Sequence, residues 1–318
     1  MQPTGRDLRV DLLNTQLLVG YRNGDYIADE VFPIVPVNKQ GGIIPQIAQS
    51  QFFRNLARKR APGTKSQGSG WNTDLTATYF AERTSFRSEV SDDDRDNAAG
   101  GPFELDRIAS QRSADLVLLE REIALSTNFF TTSVWGADKV GGTDYTKWSD
   151  YAGGTPLVDI SSFSDEIEGK VGVEPDTLVI GKQVWVKLKW APQLVDSIKY
   201  TQTGQVSVAL AAQLMELRRI LVGRAIYTTS PEGTAEGSVT YSRVWGKHAL
   251  LISAPPTIVP GRPHAGVTVV WNRVPNAQLY VKRMRDEERE VDIFEANSYY
   301  QQKKVIANSA EFLQNAVV

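Results

Sequence analysis

The stretch Phe103–Phe130, FELDRIASQRSADLVLLEREIALSTNFF, contains neither glycine nor proline. Pro102 precedes it and acidic residues occupy its first turn, a combination that favours a helix start. Apolar residues recur near one stripe at helical spacing, namely Leu105, Ile108, Leu116, Leu119, Ile123 and Phe130. The stretch therefore predicts one helix of about 42 Å. Because a compact chain of this length has a radius of gyration of only about 20 Å, such a helix favours a flat, elongated subunit.

The chain differs in character on the two sides of this helix. Residues 1–50 hold short apolar clusters interrupted by Pro33, Pro36 and Pro45, which indicates extended or edge-like chain rather than a central strand. From about residue 157, short apolar strands alternate with helices, beginning with the strand Asp176–Ile180 and a helix over 181–190. The tail predicts strands around 278–283, 290–296 and 298–306, with a turn at 286–288.

Residues 51–95 divide into a basic part and an acidic part. The basic residues Arg54, Arg58, Lys59, Arg60 and Lys65 occur with no acid among them, whereas residues 71–100 are rich in acids. Residues 75–80 and 84–90 alternate with a period of two, as strands do. We therefore expect 51–95 to form a long polar two-stranded excursion. Since an isolated hairpin is marginally stable in water, this segment should require contact with a partner.

Composition excludes several classes of protein. The chain has 318 residues, a net charge of −2, no cysteine and two histidines. Disulfides, thiolate nucleophiles and cysteine-based metal sites are therefore excluded. The near-neutral charge argues against a dedicated nucleic-acid binder. No apolar run approaches the length of a membrane span and the first residues lack a signal-peptide pattern, so we expect a protein that is cytoplasmic where it is made.

The motifs that would carry catalysis are missing. Gly181-Lys182 lacks the upstream glycine of a nucleotide-binding loop, and the acids 92–96 depart from a calcium loop at the sixth and twelfth positions. The only two histidines, His248 and His264, are too scattered in the sequence to indicate a Ser-His-Asp triad. The sequence thus predicts no catalytic, cofactor or metal site. It also places four tryptophans in apolar contexts and so predicts them in the core: Trp185, Trp190, Trp245 and Trp271.

The order of these parts resembles the major capsid proteins of tailed bacteriophages, which have the Hong Kong 97 fold. Four phrases carry the resemblance: Tyr26–Val37, Asp176–Trp185, Ala191–Tyr200 and Arg219–Tyr227. No single motif is decisive, but the ordered set spans essentially the whole chain.

The resemblance implies an α+β fold with an N-terminal arm, an extended β-hairpin loop, a long spine helix, a peripheral domain and an α/β axial domain. The expected divisions are 1–50 for the arm, 51–100 for the extended loop, 101–156 for the peripheral domain with the spine helix, 157–265 for the axial domain and 266–318 for the peripheral return strands.

The function implied by the resemblance is structural. Copies of the chain would assemble as pentamers and hexamers into an icosahedral shell around the double-stranded DNA of a tailed phage, in the host bacterial cytoplasm. The implied partners are other copies, portal and scaffolding proteins, a decoration protein and weakly contacted DNA, with no membrane and no cofactor. Some relatives carry an N-terminal scaffolding region, whereas arm sequence begins here almost at once. Others form Lys–Asn cross-links, for which no matching residues are found.

Two other functions remain open from the sequence. An encapsulin-type nanocompartment would use the same fold to hold a cargo enzyme, and a soluble α/β enzyme would use Lys182, His248 and His264. Within the shell interpretation we expect a charge-complementary contact between copies. Its basic residues would be Arg54, Arg58, Lys59 and Arg60, and the acids facing them would come from Asp92, Asp94, Asp96, Glu287 and Glu288 of a neighbour.

Overall fold

A computed structural model describes residues 26–47, 51, 53–70, 73–98, 105–199, 206–257, 264–274 and 277–318. Within these ranges the helices are α1 Ala28–Val31, α2 Asp92–Ala98, α3 Leu105–Phe129, α4 Pro156–Val171, α5 Lys182–Leu188, α6 Pro192–Ile198 and α7 Val208–Leu214. The strands are β1 Ile34–Val37, β2 Gly41–Ile43, β3 Gln46–Ile47, β4 Thr73–Asp74, β5 Thr78–Phe80, β6 Glu82–Ser91, β7 Ala137–Val140, β8 Thr177–Gly181, β9 Arg219–Gly223, β10 Ile226–Thr228, β11 Tyr241–Arg243, β12 Ala249–Ile252, β13 Gly266–Trp271, β14 Tyr280–Asp286, β15 Val291–Lys304 and β16 Ala310–Gln314.

The first sheet is built around β15, a strand of 14 residues. Its first half pairs antiparallel with β14 and its last residues pair with β13, while β6 pairs along 291–300. The predicted strand around 278–283 is confirmed as β14, and a turn follows it at 287–290. The two strands predicted at 290–296 and 298–306 form one continuous strand, β15. The long central strand therefore joins segments from the first third of the chain to segments near its end.

The second sheet has the order β7-β16-β12-β8-β9. All residues of β8 and β12 are buried, which is the pattern of central strands covered on both faces. Leu178 and Ile180 pack with α4 and α5 on one face, whereas Val179 faces the end of α3. The chain enters this sheet again at β16, so the predicted segment 266–318 supplies strands to both sheets.

The predicted long helix is confirmed as α3, about 37 Å long at 1.5 Å per residue. Its predicted apolar stripe is only partly buried. Phe130, just after α3, is buried and Leu105 packs beside the first sheet, but the helix face on that sheet consists mainly of small residues, among them Ala109, Ser113 and Ala114. Ser113 donates from its hydroxyl to the carbonyl of Phe294 at 3.0 Å, which places the helix close to the sheet. Ile108, on the opposite side, is 44% exposed.

The described part of the expected arm folds against its own chain. Val31 and Phe32 are fully buried, and β1 adds parallel to β13 at the edge of the first sheet. The edge position confirms what the prolines predicted, since Pro36 has no N–H to donate to a further strand. Residues 27–37 of the arm therefore pack on their own subunit, whereas residues 1–25 lie outside the described ranges.

The two-stranded excursion has different strands from those predicted. β2 pairs with β5 and β3 pairs with β4, so the ribbon consists of residues 41–47 and 73–80. Residues 82–91, expected to be its acidic limb, pair with β15 instead. The prediction that 51–95 supplies both strands of the excursion is wrong, because residues 73–80 pair with residues 41–47 and residues 82–91 pair with β15. Residues 53–70 extend beyond the ribbon, and all of them are exposed.

Candidate functional site

The basic residues of the sequence prediction lie together on the exposed segment 53–70, which we call the basic loop. Arg54, Arg58, Lys59 and Arg60 are all exposed. Arg58 donates to the neighbouring carbonyl of Ala57 at 3.5 Å. Within the described ranges none of the four forms an ion pair. The loop therefore presents concentrated positive charge that the described part of its own chain does not neutralise.

Asp92 forms ion pairs within its own chain. Arg285 donates to both of its carboxylate oxygens, at 2.7 and 2.5 Å. Arg95 adds a third bond at 2.9 Å. The hydrogen bonds from Arg285 hold the pKa of Asp92 below its usual value, with smaller contributions from the charges of Arg285 and Arg95. Asp92 therefore has two arginine partners within its own chain, and its contact with a neighbour stays a prediction.

The remaining candidate acids are more accessible. Asp94 accepts a bond from the hydroxyl of Ser91 at 2.6 Å at the start of α2, and Asp96 is exposed on the same helix. Glu287, in the β14–β15 turn, has a side chain that is 84% exposed and lies 3.7 Å from Arg285. Glu288 is exposed beside it. Asp96, Glu287 and Glu288 thus remain candidates for contact with another copy.

A buried network ties α2 and α3 to the first sheet. Asp292, almost fully buried, accepts from Arg95 at 2.6 Å and from Arg283 at 2.8 Å. Arg95 also donates to Asp106 of α3 at 2.9 Å. Although burial alone would raise the pKa of Asp292, the two arginines lower it overall. The acid-rich segment 92–96 therefore serves partly to fasten the start of the long helix.

A second buried cluster anchors the arm, and the sequence did not indicate it. Arg121 and Glu122 lie in the middle of α3, with exposures of 2% and 0%. Arg121 donates to Asp29 at 2.9 Å and to the hydroxyl of Ser298 at 2.7 Å. Its guanidinium also lies 4.7 Å from the ring centroid of Tyr300. The arm, the helix and the first sheet therefore meet at one side chain.

The carboxylate of Glu122 accepts three donors from two other parts of the chain. The N–H groups of Ile27 and Ala28 lie 3.1 and 2.7 Å from Oε2. The indole N–H of Trp245 lies 2.6 Å from Oε1. Burial raises the pKa of Glu122 to about 7, against the opposing effect of these donors. A single carboxyl group thus joins the arm, α3 and the region of the second sheet.

The ribbon exposes large apolar side chains. Ile43, Leu75 and Phe80 lie on the strands and connections of the ribbon, and each is more than half exposed. The ribbon is only two strands wide. A two-stranded ribbon is marginally stable in water, and clustered exposed apolar groups indicate an interaction surface. The ribbon and the basic loop together form the part of the described chain that most needs a partner.

His248 and Gly181, considered for catalysis and for nucleotide binding, both have structural roles. His248 packs beside Phe130 and Phe312, and its Nδ1 accepts from the N–H of Asn315 at 3.0 Å. Burial, with a smaller effect from Lys247, lowers its pKa. A Cβ at Gly181 would collide with the carbonyl oxygen of Gly246, so close packing requires that glycine. His264 lies just before β13 of the first sheet, whereas Lys182 begins α5, which follows β8 of the second sheet.

The described residues contain no group of three metal-ligating side chains. Among the described helices none is both long and apolar enough to cross a lipid bilayer.

Comparison with proteins of known identity gives two related sequences. The chain is 30% identical over 244 residues to the major capsid protein of Pseudomonas phage JBD67, covering 75% of both chains. It is 28% identical over 246 residues to the major capsid protein of Burkholderia phage BcepMu, covering 77% of this chain and 76% of that protein. No protein-family model matches the chain.

Solved structures give the same fold at lower sequence identity. A phage-related protein from Bordetella bronchiseptica matches with a TM-score of 0.71 and 20% identity, covering 97% of this chain and 98% of that one. The mature capsid of bacteriophage PhiM1 matches with a TM-score of 0.53 and 14% identity, covering 93% and 88%. The architecture of two sheets, a long helix and a ribbon is therefore the Hong Kong 97 type of capsid fold.

Proposed function

This chain belongs to the major capsid protein family of tailed bacteriophages, and we propose that it assembles as pentamers and hexamers into an icosahedral shell enclosing double-stranded DNA. Membership of the family is the observation that carries the proposal. The ribbon and the basic loop support it, because apolar and basic groups that the chain leaves uncovered would be covered by neighbouring copies in a shell.

The subunit divides into regions with different tasks in the proposed shell. The second sheet and its helices, largely within 157–265, would surround the axis of each capsomer. The first sheet and α3 would form the periphery, and the ribbon with the basic loop would reach an adjacent subunit. The described part of the arm would stay on its own subunit, fastened by Arg121 and Glu122.

The role is structural rather than enzymatic. His248 is occupied in packing and in holding Asn315, and Gly181 is fixed by close packing. The two sequence relatives carry the name of a shell protein, which favours a phage shell over an encapsulin-type compartment. In the proposed assembly, portal, scaffolding and decoration proteins would meet the shell in the host cytoplasm. The near-neutral net charge of −2 suits a wall that must release its DNA.

Expression of the full chain, with and without a separate scaffolding protein, tests the proposal. We expect particles of megadalton mass in sedimentation and closed shells in electron micrographs. A strictly monomeric species at high concentration under both conditions would contradict shell formation. Shells that enclose a cellular enzyme and exclude DNA in infected cells would instead favour the compartment.

A further inference from the structure

One helical face beside the second sheet is apolar and open. Val186 and Trp190 are four residues apart, in and just after α5, and are 41% and 59% exposed. Tyr151 lies next to them, because its hydroxyl donates to the carbonyl of Lys187 at 3.3 Å. Trp190 was predicted in the core, and that prediction is wrong. We call Tyr151, Val186 and Trp190 the aromatic face.

The aromatic face carries positive charge. The segment Lys182–Trp190 contains three lysines and no acid. The ammonium group of Lys189 lies 5.3 Å from the centroid of the Trp190 ring, which is within the distance of a cation–π contact. A partner for this face must therefore offer both an apolar pocket and negative charge.

A negatively charged and mainly polar cleft lies between α4 and the end of α7 on the same domain. It has a volume of about 340 Å³, and its apolar lining includes Leu157, Leu214 and Met215. Every charged group that lines it is a carboxylate, from Asp165, Glu168, Glu174 and Glu216. Within the described ranges none of these carboxylates forms an ion pair. We call this cavity the acidic cleft.

We propose that the aromatic face of one subunit docks into the acidic cleft of the next copy around a capsomer. The inference rests on the proposed function, which supplies the ring of copies. The face and the cleft are different surfaces, so the contact runs head to tail, and such contacts close into rings when the rotation allows. Trp190 would act as the anchor of the interface, since tryptophan seated in a pocket commonly dominates binding energy. Lys187 and Lys189 would meet the carboxylates at the rim.

Zero-length coupling of wild-type particles tests the contact directly. A carbodiimide joins a lysine to a carboxylate only where the two touch. We expect peptide mass spectrometry of covalent subunit dimers to find Lys187 or Lys189 joined to Glu174 or Glu216. Cleft carboxylates joined instead to Lys59 or Lys65 would show that the basic loop occupies the cleft and would overturn the proposal. Particles in which the cleft carboxylates couple to no lysine of another subunit would also overturn it.

A disulfide experiment has no background from native cysteines, because the chain has none. The double variant Lys189→Cys with Glu216→Cys should give, on oxidation of assembled particles, a ladder of covalent oligomers extending to five and six subunits. Each single variant should give no ladder, and Tyr241→Cys with Glu216→Cys serves as a matched pair at another exposed aromatic position. Particles of normal shape without the ladder would refute the docking while leaving shell assembly intact. Absence of wild-type particles would instead count against the proposed function.

A charge exchange keeps the proposal falsifiable if the cysteine pair does not assemble. Lys189→Glu should lower particle yield about fivefold, the effect of an unfavourable contact near 1 kcal/mol. Adding Glu216→Lys should restore the yield. Equal yields from the single and double variants would contradict the contact between these two positions.

Discussion

Arg121 and Glu122 show how two buried charges hold an extended segment to a helix. Removing an ion from water is costly unless partners replace the water. Asp29 and Ser298 replace it for Arg121, while two backbone N–H groups and one indole replace it for Glu122. The neighbouring side chains thus fix where the arm leaves the body of the subunit.

Glu122 should make the stability of the unassembled subunit depend on pH. Its folded pKa of about 7 lies above the ordinary 4.5, so the folded state binds an extra proton between these values. Stability should therefore fall as pH rises from 4.5 to 7 and level off above that, by up to about 3 kcal/mol. Urea unfolding of the wild type and Glu122→Gln across this range measures it. The variant should show a flatter profile, and parallel profiles would contradict the assignment.

The sequence could not indicate this anchor. Arg121 and Glu122 sit among other charges in a helix, where charged residues are usually solvated, and their partners are distant in sequence. Glu122 meets Trp245, and Arg121 meets Ser298. Only the way the arm, the long helix and the sheets come together makes these positions buried.

At the scale of elements, α3 shows which part of a pattern is predictable. The absence of glycine and proline located the helix, and its described bounds agree with the prediction. Apolar periodicity failed to locate the buried face, because Ala109 and Ser113 allow a closer approach to the sheet than Ile108 or Leu116 would. The strand β14 agrees with its prediction around 278–283 because the local pattern specifies a strand there. The strand partners in the ribbon depend on contacts that the local pattern does not specify.

The edge strand of the arm requires a glycine where it meets β13. A Cβ at Gly266 would collide with the ring of Phe32, so Gly266→Ala should destabilise the subunit by about 1–3 kcal/mol through overpacking. Gly169→Ala is the matched control, since nothing lies within 4 Å of a Cβ there and alanine is favoured in a helix by up to about 1 kcal/mol. Denaturant unfolding of the wild type and both variants measures the free energies of unfolding. If Gly266→Ala were as stable as the wild type, Phe32 would move aside without cost.

The basic loop should be needed for assembly and not for folding. Reversing Arg58 and Arg60 to glutamate should reduce particle yield, because repulsion would replace attraction at a contact repeated over many copies, each pair contributing only about 0–1 kcal/mol. Both side chains are exposed, so circular dichroism of the subunit should not change. The double lysine variant keeps the charge and should assemble normally. Normal yield from the glutamate variant would remove the basic loop from the interface.

At the scale of the whole molecule, stability and assembly should be separable. Residues 53–70 are exposed throughout, and replacing them with a short Gly-Ser linker should change the melting temperature by no more than ~2 °C. The same variant should fail to form closed shells, as sedimentation and electron microscopy would show. Wild-type shells from this variant would place the essential contacts elsewhere, with the aromatic face as the next surface to test.

The overall character of the molecule was more predictable than its contacts. The resemblance in the order of segments and in four sequence phrases led to the correct family and fold, whereas composition and the missing catalytic motifs only excluded other classes of protein. The choice between self-contact and neighbour contact was not predictable, since Phe32 and Phe80 have the same chemistry in the sequence. One is buried in its own chain and the other is more than half exposed, a difference set by pairing with distant strands.

The pairing of β1 with β13 and of β6 with β15 has a consequence during synthesis. These early strands have no partner until the ribosome has added roughly 200 further residues, which takes roughly 10–40 s at 5–20 residues per second. Throughout that interval the nascent chain carries unsatisfied strand edges next to many identical nascent chains on the same messenger RNA. A chaperone that shields the emerging polypeptide until its last third has been translated would therefore favour correct folding over association of these edges.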